Sequence, residues 1–229
     1  MVQSGDTMTI LDDMLATPLA VFRQRKAETV LTAMARRGIS GEYHNTAAAA
    51  LESIRRRIST GAVVAYGGSV SLVQTGLLEM LRGLEVELLD RSKPGLDPRA
   101  AEEMRVRAFS ADLYFSSANA VTADGRIVCI DGSGNRVGSI LYGPRQVILL
   151  VGTNKIVASL DEAMSRVRNV AAPLNAIRLG KDTPCARTGF CDEPACGMPG
   201  RICCQVMVVE LNRTAGRLHV VFVGEDLGF

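Results

Sequence analysis

Four cysteines, Cys185, Cys191, Cys196 and Cys203, with Cys204 directly following, fall within twenty residues of one another. The loop around them, residues 180–204, also holds Pro184, Gly189, Pro194, Gly197, Pro199 and Gly200. Such a segment has little apolar material to hold it in place. A thiolate-bound zinc ion or iron–sulfur cluster would supply the missing order. Five, four and six residues separate the successive cysteines, which matches neither a zinc ribbon nor a ferredoxin run. Reduced structural thiols, redox-active thiols and disulfides therefore stay open beside the metal reading. Cys129 stands alone in an apolar run and reads as core.

A second constellation is an apolar run that ends in Gly67-Gly68-Ser69 and continues as a helix. Glycines allow a tight turn and close ligand approach, and a helix start offers free N–H groups to a phosphate or carboxylate. Ser69 and Ser71 add hydroxyls, and Thr75 lies further along the same helix. The plain alternative is a tight connection with Ser69 as the N-cap. A third constellation is Asn119 to Arg136, NAVTADGRIVCIDGSGNR. Asn119, Asp131, Asn135 and Arg136 are types that fix polar ligands through a few placed hydrogen bonds, although Asp-Gly and Gly-Asn are also ordinary turn formers. Asn154 and Lys155 follow a β-branched run at its carboxyl end, where ligands bind in open parallel sheets. The commonest role for a lysine there is a surface charge. With two histidines, His44 and His219, a Ser-His-Asp triad is not expected. Neither a Walker loop nor a dinucleotide fingerprint is present.

The elements that must position these residues alternate. Helical spacing covers Thr17 to Arg37, with Gly38 as a stop. Ser40 to His44 reads as a short strand, and Asn45 as the cap of a helix over Thr46 to Ile58. Ala62 to Tyr66 is a buried strand, Val70 to Leu81 a helix, Val86 to Leu89 a strand, and Asp97-Pro98 opens a helix that ends near Phe109. Asp112 to Val121 and Arg126 to Ile130 are apolar runs joined at the turn former Asp124-Gly125. Gln146 to Val151 is a strand, and Leu160 to Ala171 a helix with Asp161 and Glu162 in its first turn. Gln205 to Leu211 and Leu218 to Val223 are the final strands. This order predicts an α/β fold in three layers: a mainly parallel sheet with helices on both faces and some antiparallel strands.

Composition sets outer bounds. The 229 residues suit one domain, taken as 16–229 after an N-terminal extension over 1–15. Hydrophobic residues make up 47%, enough for a substantial core. A net charge of +2 gives no reason to expect nucleic acid or an anionic membrane as partner. With 4% aromatics and no Trp, base-stacking platforms are not expected. The N-terminus lacks a basic-then-apolar leader, and runs such as Val147 to Val151 are too short to span a bilayer. A cytoplasmic location follows, in which cysteines are expected as thiols or metal ligands.

Several stretches together resemble the LUD (lactate utilization) family: GGSVSLVQTG at 67–76, Asn119 to Arg136, YGP at 142–144, GTNK at 152–155, AAPLN at 171–175, the loop from Thr183 to Cys203, and VGEDLGF at 223–229. The resemblance runs over nearly the whole chain from about Leu15. It implies a fold like NagB, ribose-5-phosphate isomerase (RpiA) and the coenzyme A transferases. It also implies that the glycine turn and the 119–136 segment face one pocket, and it suggests iron–sulfur partner proteins that oxidise lactate. Cys203-Cys204 stands where a single cysteine is expected, and no residue here matches a transferase-type glutamate nucleophile. The leading expectation is a lactate-utilization-type accessory or redox subunit that binds a small anionic or phosphorylated ligand. The alternatives are a stand-alone enzyme on a phosphorylated sugar, a folate or an acyl-CoA, and a regulatory binding module without chemistry.

Overall fold

The structure is a computed structural model that describes the backbone of residues 4–229 and the side chains from residue 16 onward. Of the extension expected over 1–15, the first three residues lie outside the described residues. The helices are α1 (Ser4–Arg36), α2 (Ala47–Arg55), α3 (Val70–Gln74), α4 (Leu77–Arg82), α5 (Pro98–Arg107), α6 (Asn135–Leu141), α7 (Leu160–Arg166), α8 (Ala172–Arg178) and α9 (Pro184–Thr188). The strands are β1 (Ser40–His44), β2 (Val63–Tyr66), β3 (Glu87–Leu88), β4 (Leu113–Ser116), β5 (Ala120–Thr122), β6 (Ile127–Asp131), β7 (Gln146–Gly152), β8 (Ile156–Val157), β9 (Gln205–Val209) and β10 (Leu218–Val223).

Six strands form a wholly parallel sheet in the order β1-β10-β7-β4-β2-β3. Its central strand explains why a continuous apolar run is needed. Along β7, Val147, Leu149 and Val151 pack with Met34 of α1, Tyr114 and Phe222, whereas Ile148 and Leu150 pack on the opposite face with Ile54 of α2 and Leu72 and Leu77 of α3 and α4. A parallel strand covered on both faces must be apolar at every position, because side chains alternate faces with period two.

The antiparallel strands gather in a second, four-stranded sheet of order β8-β5-β6-β9. Val121, Ile127, Cys129 and Met207 of this sheet join the core under α1, and Ala120, Val128 and Ile130 on its other face pack against Ala163 and Val167. The run expected over Asp112 to Val121 is therefore two strands in two sheets, with Ser117 to Asn119 crossing between them. The hairpin at Asp124-Gly125 forms as expected. Gly125 has φ of +88°, and a Cβ there would stand 2.7 Å from the Met34 backbone N of α1, so both the turn and the helix above it require glycine.

Other local expectations shift. Thr46, not Asn45, caps α2, its hydroxyl accepting the Ala49 N–H at 3.3 Å. The helix expected over 70–81 is broken into α3 and α4 at left-handed Gly76. The helix expected over 160–171 instead passes through one turn of π-helix, Val167–Ala171, and continues as α8. Two short helices, α6 and α9, arise where only turns and loop were expected. Among the described residues no helix is long and apolar enough to cross a membrane.

Candidate functional site

The loops that leave the carboxyl ends of β2, β3, β4 and β7 meet the 130–136 segment, α8 and the chain after β10 around one cavity of about 270 Å³. This is where a parallel sheet leaves its strand ends uncovered. Of the eleven ligand-binding candidates, Gly68, Ser69, Ser71, Asn119, Asp131, Asn135, Arg136 and Lys155 line it.

Gly67, Thr75 and Asn154 do not line it. Gly67 lies beneath the site. A Cβ on it would meet the Tyr114 hydroxyl at 2.8 Å and Arg136 Cγ at 2.9 Å, so its missing side chain lets Arg136 cross over the β2 turn. The Thr75 hydroxyl bonds back to the Ser71 and Leu72 carbonyls at 3.0 and 3.2 Å. Asn154 turns its side-chain oxygen to the Leu227 N–H at 3.2 Å, where it pins the chain after β10. The glycine turn opens only the five-residue α3, and Ser69 at its N-cap position makes no side-chain capping bond.

Lys155 departs most from expectation. It is buried at 2% exposure, not a surface charge. Its Nζ donates to Ser71 Oγ at 2.8 Å and Ser117 Oγ at 3.1 Å, and no carboxylate pairs with it among the described residues. Burial, followed by the guanidiniums of Arg166 and Arg136, pushes its pKa down from 10.5 to about 7. A buried amine without a counter-ion is poised between its charged and neutral forms, and an anion placed beside it favours the charged one.

Arg136 is positioned by three acceptors. Its Nη1 donates to the Ser117 carbonyl at 2.9 Å, and its Nη2 donates to Asn119 Oδ1 at 2.8 Å and the Ile130 carbonyl at 2.6 Å. Asp131, the one acidic side chain in the lining, is bound to the backbone: its carboxylate accepts the N–H groups of Gly132, Arg136 and Val137 at 2.7, 3.0 and 3.1 Å. It fixes the start of α6. Asn135 Oδ1 accepts the Ser133 hydroxyl at 2.9 Å.

Sequence reasoning missed Arg91, Ser117, Asn175 and Arg178, which also line the cavity. Arg91 reaches over Gly68: a Cβ on that glycine would stand 3.4 Å from Arg91 Nη2. The loop that carries it is anchored by buried Asp90, which accepts the Tyr66 hydroxyl at 2.5 Å and Arg82 Nε at 2.9 Å. Those donors hold the Asp90 carboxyl well below the ordinary carboxylate range, against the opposing effect of burial. Asn175 Oδ1 accepts Arg178 Nε and Nη2 at 3.0 and 2.8 Å. The available signal was position, since Arg91 and Ser117 each follow a strand at its carboxyl end, as Lys155 does.

The four candidate metal ligands also come together. Cys185, Cys191, Cys196 and Cys203 line a small cavity of about 20 Å³ beside the first, and Cys203 and Ala172 belong to the walls of both. All six cysteines are free thiols. Among the described residues, no group of three or more His, Cys, Asp or Glu side chains is close enough to hold one metal ion.

Comparison with protein families matches residues 27–223 to the LUD domain. No curated protein matches the chain. Among solved structures, the chain is similar to the crystal structure of a DUF162 family protein from Deinococcus radiodurans, at 14% identity and a TM-score of 0.50, over 88% of this chain and 98% of that one. At that identity the likeness speaks for the fold alone.

Proposed function

Because the chain belongs to the LUD domain family, we propose that this lactate-utilization-type protein binds a small anionic ligand, a carboxylate or phosphate compound, in the cavity around Lys155. It would do so as an accessory or redox subunit that works with iron–sulfur partner proteins. The observation that carries the reading is the charge of the lining. Arg91, Arg136, Lys155 and Arg178 line the cavity against one acidic side chain, Asp131, whose carboxylate is bound to three backbone N–H groups. Four cationic side chains gathered at a concave site with one acidic side chain favour an anion, and the cavity size suits a compound of a few heavy atoms.

One observation favours a second reading, a stand-alone enzyme on a phosphorylated sugar, a folate or an acyl-CoA. An amine with a pKa of about 7, held by two serine hydroxyls, is suited to proton transfer near neutral pH. A binding module without chemistry would use the same cations and show no turnover.

The test is a thermal-shift series with lactate, pyruvate, inorganic phosphate and a sugar phosphate. A ligand at a hundredfold excess over its Kd adds about 2.7 kcal/mol, which is a rise in Tm of roughly 5–10 °C for a chain of this size. The rise should vanish in Gly68→Val, whose side chain enters the site while the backbone course is kept. A shift that survives Gly68→Val undiminished places the anion elsewhere, and the absence of a shift with all four probes refutes a small-anion pocket.

A further inference from the structure

We infer that Lys155 is a nucleophile whose Nζ forms an imine with a small oxo compound that carries a carboxylate or a phosphate, a step that rests on the anion-pocket reading and adds covalent chemistry to it.

Among the cations of the lining, only the lysine can attack a carbonyl, because a guanidinium keeps its proton in proteins. A lysine amine becomes reactive when it is withdrawn from water or set beside other cations. Lys155 meets both conditions. It is 2% exposed, and Ser117 joins it to Arg136: the Ser117 hydroxyl accepts from Lys155 Nζ at 3.1 Å, and the Ser117 carbonyl accepts from Arg136 Nη1 at 2.9 Å. Both bonds that hold Nζ go to neutral hydroxyls, of Ser71 and Ser117, and no acid fixes it in its charged form. With a pKa near 7, about half of the amine carries a free lone pair at neutral pH.

The amine is buried in protein yet belongs to the cavity wall. Lys155, Ser71, Ser117 and Gly228 all line it. A Cβ on Gly228 would stand 3.3 Å from Nζ and 2.7 Å from Ser71 Oγ, so glycine keeps a side chain from closing over the amine. The acid group of the ligand belongs on Arg91. Arg136 and Arg178 already donate to protein acceptors, whereas Arg91 lines the same cavity with no hydrogen-bond or ion-pair partner among the described residues. An acid group paired with Arg91 has less pull on a proton at Lys155, and the amine stays free to react.

The step balances without an oxidant or reductant. The nitrogen lone pair bonds to the carbonyl carbon, and one amine proton passes to the oxygen to give a carbinolamine. The C–O bond then breaks, the second amine proton leaves with that oxygen as water, and a C=N bond remains. A serine hydroxyl both donates and accepts, so Ser71 and Ser117, at 2.8 and 3.1 Å from Nζ, are placed to carry these protons.

The experiment is reductive trapping on the full wild-type chain at pH 7. Cyanoborohydride delivers hydride to an imine carbon and leaves a stable secondary amine, which peptide mass spectrometry assigns to a residue. The probes are glyoxylate for the carboxylate source, glycolaldehyde phosphate for the phosphate source, and uncharged glycolaldehyde. Exposed Lys93 and Lys181 serve as references within the same molecule. About half of Lys155 is neutral at this pH against roughly one in a few thousand of an ordinary lysine, so one of the charged probes should label Lys155 at least about tenfold faster than Lys93 or Lys181. The probe that does so identifies the source, and excess inorganic phosphate should suppress it. Label spread evenly over the lysines, or absent from Lys155, overturns the imine; if phosphate still raises the Tm of that protein, the pocket reading survives. Labelling of Lys155 by glycolaldehyde as fast as by either charged probe overturns the acid-group requirement and the pocket reading with it.

Discussion

Replacing Lys155 with Met removes one buried charge while keeping most of the side chain's volume. Below about pH 7 the wild-type amine is protonated in both folded and unfolded chains, and the folded state bears the whole cost of an unpaired buried cation. Above 10.5 it is neutral in both. Between those values the unfolded chain holds a proton that the folded chain has released, so this lysine makes stability rise with pH. The fall from 10.5 to about 7, at about 1.4 kcal/mol per tenfold change in proton affinity, corresponds to roughly 5 kcal/mol across the window. Lys155→Met should therefore be more stable than wild type at pH 6. The gain is reduced by the two hydrogen bonds lost from Ser71 and Ser117, each worth about 1 kcal/mol. Urea denaturation of both proteins from pH 6 to 9 measures the difference. It should shrink by roughly 2–3 kcal/mol between pH 7 and 9. Lys26, whose pKa burial also lowers, is present in both proteins and cancels. Profiles that run parallel within about 0.5 kcal/mol would refute the unpaired buried amine. The same linkage requires an anion to bind more weakly as pH rises through about 7, an effect the methionine variant should lack.

Two further outcomes follow from packing and charge. Gly67→Ala places a methyl group within 3 Å of both the Tyr114 hydroxyl and Arg136 Cγ. It should displace Arg136 and weaken anion binding, with a stability loss of about 1–3 kcal/mol; calorimetric titration with the best thermal-shift anion would expose a neutral effect as a failure of this reasoning. Asp90→Asn leaves the Arg82 guanidinium without its carboxylate partner and should cost about 2–3 kcal/mol. Because the Asp90 carboxyl is held below its unfolded value of 3.8, its contribution is present above that pH and is lost as pH falls further, so the wild-type advantage should fade in acid denaturation.

The fold was legible because its main sheet is parallel. Runs such as Val147 to Val151 cannot be solvent-facing strands or short surface helices, and their spacing by helical segments requires crossovers. The site was partly legible for the same reason, since a residue just past the carboxyl end of a strand is placed by topology alone. That rule gathered Gly68, Ser71 and Lys155. It could not foresee that Asn154 would turn to Leu227, because that partner lies more than seventy residues away and is set by tertiary packing. Neither could it find Arg178, whose helix is joined to α7 by the π-turn at 167–171. Such a turn leaves the 3.6-residue apolar pattern out of phase. The burial of Lys155 had no local sign, because the serines that hold it come from α3 and the β4–β5 crossing.

The strand order also constrains how the chain can be made. β10, the last strand in the sequence, sits between β1 and β7, with Tyr43 opposite Phe222 and Phe222 opposite Val151. A nascent chain emerges from the ribosome at about 5–20 residues per second. Until Leu218–Val223 has cleared the exit, β1 has no neighbour and the inner edge of β7 carries unpaired N–H and carbonyl groups. For most of synthesis the protein is thus a half-sheet with a sticky edge, and closure is a late event between segments almost the whole chain apart. Such non-local closure is slow, and exposed edges recruit other chains. Yield in recombinant expression should accordingly respond to lower temperature and added chaperones more than to stabilising substitutions elsewhere in the fold.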